Sequence, residues 1–280
     1  MVKFFGAAMA IIAAVMLFSN ASMAQANNET RRDCFDDQKK PGQRIRACSD
    51  LLPHAKVDFG RALILYHRGY AYFTNRDYTR AERDYDEAIT LNSKDPQLYY
   101  ARAEAKRWQK RYDDAIADFT AATTLDGEYL EAFYRRGFTY LLKESYPQAI
   151  ADFEKVMELY IWHAKAMHAM AWIYANANDK NARDGGKAVH WGLRAIDLRP
   201  NDAEMMETLA AAYVEKGELD MALKTYEAAM EIGGSFWVRY YQDNLKRKGY
   251  NPGPVDGRYG KKTRVAFADC LKKGCRMGLK

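Results

Sequence analysis

A period of 34 residues constrains this chain more than any other feature. Tyr78, Tyr112 and Tyr146 stand 34 apart, as do Tyr85, Phe119 and Phe153, and Ala81, Ala115 and Ala149. One helix earlier, Gly69, Ala103, Gly137 and Ala171 keep the same interval. Four registers with one period mark an array of structural repeats. The small residue at repeat position 8 lets one helix approach a second closely, where another small residue sits at position 20. Aromatics at positions 11, 17 and 24 fill the space around that contact, as Tyr72, Tyr78 and Tyr85 do in the first clear copy. A helix pair cannot bury its apolar face alone, so neighbouring pairs stack into a solenoid. The expected fold class is all-α.

This pattern resembles the tetratricopeptide repeat family over most of the chain. The copies run 62–95, 96–129, 130–163, 164–202 and 203–236, after a divergent copy at 27–61, which makes about five to six repeats. The chain departs from the family at position 4, where Trp is usual and Leu65, Tyr99, Phe133, Met167 and Met206 stand. In the fourth copy, the segment ANANDKNARDGG adds five residues between the helices. Asp184 ahead of Gly185-Gly186 suits the start of its second helix, because an Asp side chain can accept from free amide groups. The insertion reads as a binding loop or as a structural length variant like those of secreted members of the family, and the structural role is the expected one. In the divergent copy Ala47 takes position 20 and Leu51 position 24, which puts Cys34 and Cys48 on its two facing helices.

The resemblance implies a groove that binds a protein or peptide, lined by positions 2, 5, 9, 12 and 13 of the first helix of each pair. These positions give Tyr66, Tyr70 and Phe73, then Tyr100, Arg107 and Trp108. The third copy adds Tyr134, Phe138 and Leu142, and the fourth adds Lys165, His168 and Trp172. Aromatic bodies with polar tips, joined by a few cations, suit an extended peptide with apolar and acidic side chains. The competing reading is packing between repeats. The Lys/Asn pattern that clamps a C-terminal carboxylate in chaperone-binding members is absent.

Residues 237–280 differ in composition and charge. From Arg239 onward twelve Lys or Arg stand against three Asp, whereas the preceding body is mildly acidic. Val238, Tyr241, Leu245 and Lys248 recur at helical spacing and Gly249 ends the helix. Pro252-Gly253-Pro254 and Asp256-Gly257 then make turns, and a helical pattern with Val265, Ala266 and Leu271 available for burial follows. Val238, Gln242, Leu245, Gly249-Tyr250, PGPVDGRYG, Thr263, Arg264 and Ala266 resemble the three-helix peptidoglycan-binding domain of bacterial wall enzymes. That resemblance implies a small helical cap on the solenoid, with Asp256, Arg258, Tyr259, Thr263 and Arg264 as wall-binding candidates. Cys270-Leu271 stands where that family has an aromatic followed by Gln, so either the domain meets peptidoglycan or the motif only packs on the solenoid. The helix from about Phe236 to Lys248 serves both regions, and no linker separates them.

The first 26 residues place Lys3 before an apolar stretch from Phe4 to Phe18, followed by small residues in two cleavage patterns ending at Ala24 and Ala26. That is the layout of a secretory signal peptide, and the expected location is the periplasm, with no membrane span after cleavage. In such a compartment the four cysteines form disulfides, and local pairing, Cys34–Cys48 and Cys270–Cys275, closes the shortest loops. A zinc site would want further Cys or His beside each pair, and none is there. An exported basic tail points to wall polymers or lipid headgroups and not to nucleic acid. His54, His67, His163, His168 and His190 form no metal motif, and no nucleophile elbow, phosphate loop or dinucleotide fingerprint occurs. Asp113-Asp114 and Asp84/Asp86 lie beside basic residues and read as solvated surface. The expectation is a non-catalytic scaffold without a cofactor. The alternatives are an adaptor whose tail is structural or meets membrane lipid, and a protein acting in cell-wall hydrolysis.

Overall fold

The computed structural model describes residues 28–277, so the signal peptide expected at 1–26 lies outside the described residues. Among them are thirteen α-helices and no strand. The chain divides into two compact units, Met1–Ala132 and Phe133–Lys280, each described by itself. The first holds α1 (Asn28–Phe35), α2 (Pro41–Leu51), α3 (Asp58–Thr74), α4 (Tyr78–Leu91), α5 (Pro96–Trp108) and α6 (Tyr112–Leu125). The boundary falls within α7 (Leu130–Leu142). The second unit continues with α8 (Tyr146–Leu159), α9 (Ala164–Asn176), α10 (Gly185–Leu198), α11 (Ala203–Lys216), α12 (Leu219–Arg247) and α13 (Lys261–Lys272).

Short acids and prolines start these helices. Asp77, Asp95, Asp184 and Asp202 each accept backbone N–H groups of the first turn, which would otherwise lack partners. Within a pair, the link between helices passes through a left-handed residue at repeat position 15. Arg76, Lys110 and Glu144 hold φ of 60°, 61° and 57°, and the fifth copy has Gly217 there at 85°. The next amide in each case closes back on the helix, as Asp77 N–H does on Tyr72 O at 2.9 Å and Glu218 N–H on Tyr213 O at 2.9 Å.

The core follows the 34-residue register. Gly69 sits so close to Tyr85 that a Cβ there would lie 2.7 Å from the ring, and Gly137 approaches Phe153 at 3.0 Å. Tyr85, Phe119 and Phe153 are fully buried beside Ala81, Ala115 and Ala149. At the start of the first unit, α1 and α2 are joined by a Cys34–Cys48 disulfide whose two residues are inaccessible to solvent.

A second ladder runs through the same register. Arg68 grips Asp84 with two bonds of 2.7 Å, Arg102 grips Asp118 at 2.7 and 2.8 Å, and Arg136 grips Asp152 at 2.7 and 2.9 Å. All three carboxylates are buried. This corrects the reading of Asp84 as solvated surface; Asp86, Asp113 and Asp114 are exposed. Burial raises the carboxyls of Asp84 and Asp152, and the bidentate guanidinium opposes that shift.

In the second unit α12 breaks at Gly234, where φ is 66° and ψ is −157°. Val238, Tyr241, Gln242 and Leu245 of its second half are buried against α13, which contributes Thr263, Ala266, Phe267, Cys270 and Leu271. Val265, expected inside, is 60% exposed: it lies off the stripe that α13 turns inward. Phe267 supplies the core aromatic, with its ring 5.0 Å from Tyr226 and 5.4 Å from Tyr241. A Cys270–Cys275 disulfide and Gly274 (φ 75°) turn the chain back so that Met277 is buried. Arg276 then donates to Ala175 O at 3.1 Å and pairs with Glu215.

Candidate functional site

Two clefts are lined by first-helix residues, one in each unit. In the first unit a cleft of about 430 Å³ is walled by Tyr66 and Tyr70 with Phe59, Leu63 and His67, and edged by Asp37 and Asp95. Gln97 donates to the Tyr66 hydroxyl at 2.7 Å, and burial pushes that phenol up to about 12. Burial first, and then the Arg44 guanidinium, push His67 down from 6.5 to about 4, so its ring is neutral at neutral pH.

In the second unit a cleft of about 580 Å³ gathers Tyr134, Phe138, Leu142, Lys165, His168 and Trp172. These are the residues that the sequence assigned to the groove from the third and fourth copies. His168 shares a 2.7 Å hydrogen bond between Nε2 and Thr208 Oγ1, and burial lowers its pKa while Glu204 and Asp202 pull it upward. The cleft also holds Tyr146, Asn178, Arg199, Asp202 and Glu204, which the sequence reading did not pick out. Glu204 occupies position 2 of the fifth copy, which is a groove position.

Asn178 belongs to the insertion of the fourth copy. Its amide donates to Tyr146 Oη at 3.1 Å and its side chain to Glu144 Oε1 at 2.6 Å, so this segment forms one edge of the cleft. Inner bonds shape the rest of the insertion, including Asp184 N–H to Tyr174 O at 2.9 Å. Two of the cleft's three carboxylates are therefore committed: Glu144 to Asn178, and Asp202 to the amides of Glu204 and Met205. Among the described residues, Lys165, Arg199 and Glu204 have no side-chain partner. The uncommitted charge is net positive.

Tyr100, Arg107 and Trp108 line neither cleft. Tyr100 packs on Phe119 and Tyr129, at 5.8 and 5.2 Å between ring centres. Arg107 is held by Glu104 through bonds of 3.0 and 2.9 Å. Trp108 is half exposed and stacks on Tyr78 with 14° between the rings. Position 34 bears on Tyr100 alone and does not act by itself, because the third copy has His163 there, 4.9 Å from Tyr134, and Tyr134 still lines its cleft. At position 34 the first and fourth copies have Asp95 and Asp202, short capping acids beside open clefts. The second copy has Tyr129 there, and its ring covers Tyr100.

In the tail, Gln242 organises the turn. Its side-chain amide donates to Arg258 O at 3.1 Å, Thr263 Oγ1 at 3.2 Å and Asp256 Oδ1 at 3.3 Å, while its Oε1 accepts from Gly257 N–H at 3.0 Å. Thr263 is buried and donates to Pro252 O at 2.9 Å. Tyr259 and Arg264 both reach Glu227 at 2.8 Å, and burial raises the Tyr259 phenol. Of the five wall-binding candidates, Arg258 alone has an exposed side chain with no partner among the described residues. No group of three His, Cys, Asp or Glu stands close enough to hold a metal ion among those residues.

Models of the tetratricopeptide repeat match residues 62–95, 100–161 and 203–232. The chain carries tetratricopeptide repeats. No curated protein matches its sequence as a relative. Among solved structures, the tetratricopeptide-repeat chain is similar to a MamA protein, with 19% identity and a TM-score of 0.56 over 69% of this chain and 98% of that one. It is also similar to YrrB, a TPR protein with an unusual peptide-binding site, with 19% identity and a TM-score of 0.57 over 67% and 93%. A third is MamA of Desulfovibrio magneticus RS-1 from residue 41 to its end, with 20% identity and a TM-score of 0.57 over 61% and 94%. At such identities these likenesses show the fold, an all-helical tetratricopeptide-repeat solenoid.

Proposed function

We propose that this tetratricopeptide-repeat protein is an exported, non-catalytic scaffold that holds an extended partner peptide in the cleft of its second unit. The observation that carries the reading is the cleft's chemistry: Tyr134, Phe138 and Trp172 offer aromatic walls, and the uncommitted Lys165 and Arg199 outnumber Glu204. Such a surface favours a peptide with apolar side chains and an acidic one. YrrB, of the same fold, has a peptide-binding site, which supports the reading by analogy. Export rests on the pattern of residues 1–26, and placement at the wall rests on the resemblance of residues 237–280 to a peptidoglycan-binding domain, with Arg258 as the side chain free to make contact.

The test is selection from a random peptide library on the purified protein. Enriched peptides should combine apolar and acidic residues, and Trp172→Ala or Lys165→Glu should weaken their binding about tenfold or more. Peptides that bind both variants as tightly as the parent would sink the cleft assignment. Sedimentation with purified peptidoglycan, lost in Arg258→Glu, tests the wall contact separately.

A further inference from the structure

The turns that join one helix pair to the next carry a signal that the peptide cleft does not use. Repeat positions 31–33 read Asn92-Ser93-Lys94, Asp126-Gly127-Glu128, Arg199-Pro200-Asn201 and Gly233-Gly234-Ser235 in four copies. In the third copy they read Tyr160-Ile161-Trp162. These three consecutive side chains are 50%, 53% and 61% exposed. A soluble surface gains nothing from three adjacent large apolar residues at a turn tip where its own sister copies place polar ones or glycine.

In the repeat register the end of the fifth copy is the equivalent of this turn, and it too carries an exposed apolar tip. Phe236 is 72% exposed, and the tail turn packs beside it: a Cβ on Gly257 would lie 2.9 Å from Ser235 O and 3.0 Å from Arg239 Nε. That turn brings exposed Val255 and Arg258 next to Phe236 and Arg239. Neither arginine has a side-chain partner among the described residues. Of the acids nearby, Glu158 is engaged by Lys155 at 3.0 Å and Asp256 by the Arg258 amide at 2.9 Å, whereas Glu231 is exposed, which leaves the two arginines in excess of free acid.

We propose that these turns dock on an anionic lipid surface, with Tyr160-Ile161-Trp162 and Phe236 entering the headgroup region and Arg239 and Arg258 meeting lipid phosphates. Trp and Tyr are the side chains that favour the boundary between water and hydrocarbon, and Ile161 between them supplies apolar area. Unpaired arginines supply the charge complement. No helix among the described residues is long and apolar enough to cross a membrane, so the contact is peripheral. The proposal needs neither the peptide nor the wall contact.

Co-sedimentation of the whole protein with vesicles tests it, using phosphatidylcholine alone and phosphatidylcholine mixed with phosphatidylglycerol. The parent should sediment with the anionic vesicles and shift its tryptophan emission to the blue. Ile161→Ser/Trp162→Ser should lose about tenfold in partitioning, and Arg239→Gln/Arg258→Gln should lose the preference for anionic lipid. All four side chains are exposed, so circular dichroism should show both variants folded. A parent that ignores both vesicle types overturns the proposal, as does a tip variant that sediments like the parent. Peptidoglycan sedimentation that depends on the tip while vesicles are ignored would assign these turns to the wall instead.

Discussion

Replacing Asp118 by Ala is expected to cost about 3 kcal/mol of stability. Asp118 is 5% exposed and accepts three charge-assisted bonds, from Arg102 at 2.7 and 2.8 Å and from Lys106 at 2.8 Å. Each such bond contributes about 1.5–3 kcal/mol net when fully buried, but both cations keep some contact with water and can partly recover hydration. The sum is therefore discounted to the lower end of the range for breaking a buried pair. Arg102 supplies its own control, because its third nitrogen holds Asp86 at 2.7 Å on a side chain that is about half exposed. Asp86→Ala should cost about 0.5 kcal/mol, since water screens that pair. Urea unfolding followed by circular dichroism measures both variants. Because stacked repeats can unfold in parts, hydrogen exchange in α5 and α6 should accompany it. A loss below about 1 kcal/mol for Asp118→Ala, or equal losses at the two sites, would refute the ladder as a source of stability.

Three further outcomes follow from the same geometry. His67 has its pKa lowered from 6.5 to about 4, so the unfolded chain binds a proton across that interval while the folded chain does not. Stability should fall by up to about 3 kcal/mol as the pH drops from 6.5 toward 4, with His168 adding in the same direction, and His67→Gln should flatten much of that slope in pH-dependent denaturation. Lys110 holds φ 61° with an exposed side chain where the fifth copy has Gly217, so Lys110→Gly should stabilise by about 0.5 kcal/mol, read as a higher urea midpoint; a lower midpoint would contradict the strain argument. Gly69→Ala should destabilise by about 1 kcal/mol net, because its Cβ would meet the immobile Tyr85 ring, while Gly137→Ala should be nearly neutral in thermal unfolding. Equal effects at the two glycines would mean that the rings yield equally.

The helix pairs were legible because small and aromatic residues repeat visibly. The Arg–Asp ladder obeys the same interval and was open to the same reading. Neighbours along its own helix give Asp84 the look of a surface acid, whereas its partner Arg68 comes from the facing helix. The left-handed turn at Arg76, Lys110 and Glu144 had no local signature, since Arg, Lys and Glu carry no preference for that conformation. Only the register, with Gly217 in the fifth copy, could have revealed it. The groove residues were half legible for a related reason. Position 5 alone does not decide whether a ring faces open space: Tyr129 covers Tyr100, while Tyr134 lines its cleft although His163 packs beside it.

The tail shows where a motif and its packing part company. PGPVDGRYG is a turn that Gln242 ties together from within, so the motif specifies a local shape. Its expected core aromatic was sought at Cys270, yet Phe267 fills that place one turn earlier. Residues 263, 266, 267, 270 and 271 form the inward stripe of α13 and leave Val265 outside. Phe267 packs on Tyr226, which belongs to the fifth repeat, and Tyr241 donates to Glu207 of α11 at 2.9 Å. The tail's core is therefore shared with the last repeats, not private to residues 237–280. Removing the tail would uncover Tyr226 and deprive Glu207 of its hydroxyl partner, so a truncated chain would lose binding and stability together. Trp162 belongs to the proposed lipid contact alone while Arg258 serves both, so changing exposed Trp162 can separate a lipid contact from a wall contact without disturbing that core.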